Sequence, residues 1–85
     1  MTSKEAQRKA AAQRRARMAP LKKEIRALDE KIEKLSARKK ALEEQLTVQY
    51  SADSSIELAL LTDQLKKAED DWVRLSEEYE QACAQ

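Results

Sequence analysis

Leu21-Lys22-Lys23-Glu24-Ile25-Arg26-Ala27-Leu28-Asp29-Glu30-Lys31-Ile32-Glu33-Lys34-Leu35-Ser36-Ala37-Arg38-Lys39-Lys40-Ala41-Leu42-Glu43-Glu44-Gln45-Leu46 is the stretch that decides the fold. Its large apolar side chains stand at Leu21, Ile25, Leu28, Ile32, Leu35, Leu42 and Leu46, and Lys39 fills the one missing place in that series. Steps that alternate between four and three residues keep side chains on one stripe of an α-helix, which is the a/d pattern of a coiled-coil seam. Further along the chain Leu58, Leu61, Leu65, Ala68, Trp72, Leu75, Tyr79 and Ala82 repeat the pattern without a break. Two stripes of this kind are two halves of one interface.

Between them, Val48-Gln49-Tyr50-Ser51-Ala52-Asp53-Ser54 loses the heptad and is rich in small polar residues that favour turns and caps. Ser54 followed by Glu57 matches a capping box, so the spacing predicts that the second helix starts near Ser54. A short connection favours antiparallel neighbours. The sequence therefore predicts an all-α fold, a two-helix antiparallel coiled-coil hairpin with a basic N-terminal arm that is helical or frayed. The expected boundaries are an arm over 1–19 and a hairpin over 20–85, with helix 1 about 20–47, a loop about 48–53 and helix 2 about 54–83. A turn centred near residue 52 sets Leu46 level with Leu58, Leu35 with Ala68, Ile32 with Trp72 and Ile25 with Tyr79. Trp72, near mid-seam, is then the side chain whose truncation to Ala costs most, about 3 to 5 kcal/mol if it is buried. A linear parallel coiled coil that never folds back is the alternative architecture.

Composition agrees. Ala, Glu, Lys, Leu and Arg supply 52 of the 85 residues, more than the roughly half that marks long helices and coiled coils. The chain has no Gly and no His, one Pro and one Cys. Without Gly it cannot build a Walker A loop or a dinucleotide fingerprint, and without His it has no Ser-His or Cys-His pair and no credible metal cluster. The chain reads as non-enzymatic, with no cofactor of its own and no catalytic or metal-ligating residue. No run of about 18 apolar residues is present and the N-terminus lacks the apolar core of a signal peptide, so a cytoplasmic setting is expected, with no membrane partner. Cys83 has no intrachain partner, which fits a reducing compartment.

The net charge of +1 hides a strong polarity. Residues 1–20 carry Lys4, Arg8, Lys9, Arg14, Arg15 and Arg17 against Glu5 alone, whereas residues 48–85 carry three basic and nine acidic groups. Helix 2 ends near residue 83, so the basic arm overhangs the hairpin. Ala, Arg, Lys and Gln are strong helix formers, but Met18 is the arm's only large apolar side chain. Such a segment is marginal as a helix in water and is ordered by a partner. Pro20 marks the joint, either in the first turn of helix 1 or inside one longer helix.

On a helix Lys4, Arg8, Arg15 and Lys22 share a face, and Lys23 and Arg26 extend the cluster. Guanidinium and ammonium groups along a helical rod suit phosphate oxygens, with affinity drawn from released counterions and little sequence selectivity. The candidate nucleic-acid-binding residues are therefore Lys4, Arg8, Lys9, Arg14, Arg15, Arg17, Lys22, Lys23 and Arg26, and the partner is duplex DNA or ribosomal RNA. The competing reading is a solvated helix in a purely structural coiled coil that dimerises or spaces domains. No aromatic residue is interleaved with the basic ones in sequence, which argues against a single-strand stacking platform. The arm has no apolar face for a membrane surface. Lys39 either sets register against an acid across the seam or extends its ammonium to water. Trp72 and Tyr79 are seam residues by spacing, Tyr50 either caps the hairpin tip or touches a partner, and Asp70-Asp71 and Glu77-Glu78 form a solvated face.

Several strings taken in order carry a resemblance. They are Lys4-Glu5-Ala6-Gln7-Arg8, Pro20-Leu21-Lys22-Lys23-Glu24-Ile25, Glu33-Lys34-Leu35, Leu46 to Tyr50, Glu69-Asp70-Asp71-Trp72, and Leu75-Ser76-Glu77-Glu78. Together they resemble the C-terminal coiled-coil domain of bacterial ABC-F ATPases of the Uup and YheS type, over nearly the whole chain. The loop departs from that pattern, with Thr47-Val48-Gln49-Tyr50 where an Asp-Pro often precedes a Leu-Tyr pair. The resemblance implies a piece of a protein with two ATP-binding cassettes and no transmembrane domain, acting on ribosomes or DNA. It implies that ATP and Mg belong to those cassettes, which are further partners of this module, that Lys4 to Lys23 form the nucleic-acid surface, and that the heptad residues form the hairpin. Apart from the resemblance, a hairpin satisfies its own seam, so a monomer is expected.

Overall fold

The computed structural model describes residues 3–84, which form two helices, α1 (Lys4–Val48) and α2 (Ala52–Ala84), packed side by side as an antiparallel hairpin. The molecule measures 70 × 14 × 14 Å. At 1.5 Å per residue the 45 residues of α1 span about 67 Å, so this helix alone sets the long axis. None of the described helices is long and apolar enough to cross a membrane.

Local chemistry explains the helix ends. Ser3 caps α1, its side-chain oxygen accepting from the Ala6 N–H at 3.2 Å and its carbonyl from the Gln7 N–H at 3.1 Å, while Glu5 places a negative charge in the first turn. Pro20 lies inside α1. Of the two places open to it, the chain takes the longer helix, and the expected boundary at residue 20 is not a break in secondary structure. At the other end Gln49 leaves the helix in extended backbone (φ −149°, ψ 124°) while its N–H still donates to the Gln45 carbonyl at 2.9 Å. No described residue has a positive φ, so a chain without glycine makes this turn at no steric cost.

The start of α2 differs from the sequence expectation. Ser51 is the cap, its Oγ accepting from the Ser54 N–H at 3.3 Å and its carbonyl from the Ser55 N–H at 3.0 Å. Ser54 therefore lies within the first turn instead of preceding it, and the loop is Gln49 to Ser51 in place of 48–53. Ser51 offers the same capping oxygen three residues earlier, and using it adds helical hydrogen bonds at little entropic cost. Glu57, no longer needed for a capping box, turns across the hairpin instead.

The seam follows the heptads. On α1, Leu42 is fully buried and Leu21, Ile25, Leu28, Ile32, Leu35, Lys39 and Leu46 are half-buried; on α2, Leu61, Ala68 and Leu75 are buried, with Leu58, Leu65, Tyr79 and Ala82 half-buried. Two helices shield only one side of each other, so most seam residues stay open along a flank. The register is shifted from expectation by about one helical turn, because the three-residue loop makes the helices mirror about Tyr50 and not residue 52. Ile25 and Lys22 accordingly share a hollow with Trp72, Ser76 and Tyr79, and Leu28 shares another with Asp71, Arg74 and Leu75. In this register Ala84, the last described residue of α2, is level with about Ala16, so Lys4 to about Arg15 extend past the described part of α2, and Met18 is half-buried instead of free.

Trp72 is a correction. It keeps 37% of its surface exposed, because an indole is too large for one layer of a two-helix seam and spills onto the flank. The most enclosed large side chain is Leu42, at 1%.

Candidate nucleic-acid interface

All nine basic residues singled out in the sequence lie on α1. Lys4, Arg8, Lys9, Arg15, Arg17, Lys22, Lys23 and Arg26 are exposed, and Arg14 is half-buried. With about 100° of rotation per residue, Lys4, Arg8, Arg15, Lys22 and Arg26 fall within about 40° of one another, a stripe about 33 Å long. Lys9 and Lys23 stand to one side of it. Arg14 falls on the seam line, continuing the steps of Leu21 and Met18 toward the N-terminus, which accounts for its partial burial. Arg14 and Arg17 border a shallow hollow together with Gln7, Ala10 and Ala11. A second cluster gathers Lys22, Lys23 and Arg26 around Ala19.

The two ends of the stripe sit in different fields. Lys22, Lys23 and Arg26 lie level with the stretch of α2 that carries Glu77, Glu78 and Glu80, whose charges offset theirs in part. Toward Lys4 no described residue of α2 lies alongside, so the acids of α2 offset this end of the stripe least. At the opposite end, residues 41–65 contain Glu43, Glu44, Asp53, Glu57 and Asp63 with no Lys or Arg. The rod is electrostatically polar, basic at the open end and acidic at the tip.

Several residues behave differently from their sequence reading. Lys39 places its Nζ 4.0 Å from Glu43 on the same helix, so its ammonium reaches outward along α1 and not across the seam. Asp71 pairs with Arg74 at 3.5 Å, while Asp70, Glu77 and Glu78 are exposed as expected. Tyr50 is 74% exposed beside Val48 at 88%, so it does not cap the tip by packing.

Two relationships escaped the sequence. Arg38 grips Glu57 in a fork across the hairpin, with Nε to Oε1 at 2.9 Å and Nη2 to Oε2 at 3.1 Å. Both residues directly precede seam positions, Lys39 and Leu58, and that flanking placement was the available signal. The second is the hollow in which α2 brings Trp72 and Tyr79 against Lys22 of the basic stripe. One-dimensional spacing had kept aromatic and basic residues apart; the hairpin joins them. Cys83 is an exposed free thiol.

Comparisons of the chain with family models, with characterised proteins and with solved structures return no match.

Proposed function

We propose that this chain is a nucleic-acid-binding accessory module in which α1 presents phosphate-binding cations and the hairpin holds that helix rigid. The observation that carries the reading is the stripe of Lys4, Arg8, Arg15, Lys22 and Arg26, exposed on one flank, with Glu5 the one acid among the described residues from Lys4 to Arg15. Cations spaced along a straight rod engage successive phosphates of a duplex with charge-assisted contacts that do not depend on base sequence. The resemblance in sequence supports placing the module in a cytoplasmic ABC-F type ATPase that acts on ribosomal RNA or DNA. In that reading ATP and Mg are held by the cassettes, since a chain with no Gly has no phosphate-cradling loop to offer them. No catalytic step falls to these residues.

Fluorescence anisotropy of labelled duplex DNA and duplex RNA, titrated with the chain at low salt, tests the proposal. Binding of either supports it and their ratio ranks the two partners. Failure of both to bind leaves the second reading, a structural spacer, which the 70 Å length of the rod favours. Sedimentation then decides whether the spacer works as a 9.8 kDa monomer or as a dimer.

A further inference from the structure

We infer that the hollow bordered by Trp72, Tyr79 and Lys22 receives one unpaired nucleobase, so that the module recognises a junction between paired and unpaired nucleic acid. This rests on the proposed function and narrows its substrate class.

The hollow, about 310 Å³, is also bordered by Ile25, Ser76 and Glu80 and is predominantly apolar. It is at the lower end of the roughly 300–1,000 Å³ range of small-ligand sites, which suits a single planar heterocycle. Lys22 borders both this hollow and the cationic cluster around Ala19. It also belongs to the stripe that starts at Lys4 and Arg8. A backbone tracked by that stripe arrives at the mouth of the hollow on the same flank of the seam.

The chemistry then fits a base better than a further phosphate. The Trp72 indole keeps 37% of its surface in solvent although its neighbours Ala68 and Leu75 are buried, so the seam leaves an aromatic side chain uncovered beside a cation. A nucleobase placed against such a ring gains stacking that is tolerant of sequence, while the Lys22 ammonium holds the adjoining phosphate. Glu80 and Ser76 supply acceptors at the edge. A carboxylate there repels phosphate and accepts from an exocyclic amine, as carboxylates do from cytosine N4, which favours amine-bearing bases over thymine or uracil. Bases inside a duplex are stacked on each other and cannot reach the indole, so only an unpaired one fits.

Trp72 is the only tryptophan, so its emission reports on this hollow alone. The full chain is titrated with a blunt duplex and with the same duplex carrying an unpaired tail, in DNA and in RNA, following anisotropy and Trp emission together. The expected result is that both probes bind, that only the tailed one quenches Trp72, and that Trp72→Leu weakens the tailed probe by about 5- to 150-fold while leaving the blunt one unchanged. Trp72→Phe, which keeps a ring in the seam, retains most of the preference, and its thermal melt controls for loss of fold. Binding of the tailed probe with unchanged Trp emission overturns this site and leaves the basic stripe standing. If neither probe binds, the nucleic-acid reading and this site fall together.

Discussion

The Arg38 guanidinium and the Glu57 carboxylate meet in a two-pronged contact, Nε to Oε1 at 2.9 Å and Nη2 to Oε2 at 3.1 Å, the one direct side-chain link between α1 and α2 among the hydrogen bonds described. Both side chains are about half exposed, at 53% and 44%, so water screens the pair and its energy is modest. Its geometry is specific all the same. The fork forms only when the helices mirror about Tyr50, and a slip of one turn pulls the partners several ångströms apart.

A double-mutant cycle with Arg38→Gln and Glu57→Gln, read by denaturant unfolding, is expected to give a coupling of about 0.5 to 1 kcal/mol at low salt and less at high salt. Zero coupling at low salt would mean that this contact does not help to set the register.

Truncation of the seam should follow burial and not side-chain size. Leu42→Ala is expected to cost about 2 to 5 kcal/mol, because Leu42 is 1% exposed and its loss leaves a cavity under the tip. Trp72→Ala should cost less than Leu42→Ala despite removing more atoms, since much of the indole already faces water. Unfolding curves that rank the two the other way contradict the observed seam.

The helix start can be read from two serines. Ser51→Ala removes the cap that receives the Ser54 N–H and is expected to lower stability by about 1 kcal/mol. Ser54→Ala, within the first turn, should be near neutral or slightly stabilising. Equal losses, or a loss confined to Ser54→Ala, would return the start of α2 to the later position.

Pro20 interrupts the hydrogen-bond ladder of α1, because it has no N–H for the Ala16 carbonyl. Pro20→Ala should strengthen the helix between the hairpin and the overhang, with slower amide exchange over residues 8–19 and little change in the global unfolding midpoint. Unchanged exchange in that stretch would show that the proline does not limit the overhang's order.

The fold was largely legible because heptad spacing is a strong signal. The stripe from Leu21 to Leu46 and its counterpart from Leu58 to Ala82 name nearly every buried or half-buried seam position in the body of the hairpin. What spacing left open was how the two stripes align, because a one-turn slip still matches apolar side chains with apolar side chains. Loop length decides between registers, and the chain holds two serines able to cap α2, so the choice of Ser51 over Ser54 was invisible in sequence. The exposure of Trp72 follows from that register together with its size. The basic residues could be named one by one, whereas the extent of the overhang and the meeting of Lys22 with Trp72 and Tyr79 require the hairpin to be closed.

The central claim is that the overhanging stripe of α1 neutralises phosphates, and the salt dependence of duplex binding tests it most directly. For the unaltered chain log K should fall linearly with log salt, by about 0.9 for each phosphate neutralised on B-DNA. Replacing Arg8 and Arg15, both exposed on the stripe, by Gln should weaken binding to all duplexes alike and reduce that slope by about 2. A slope that the Arg8→Gln/Arg15→Gln chain leaves unchanged would contradict the account.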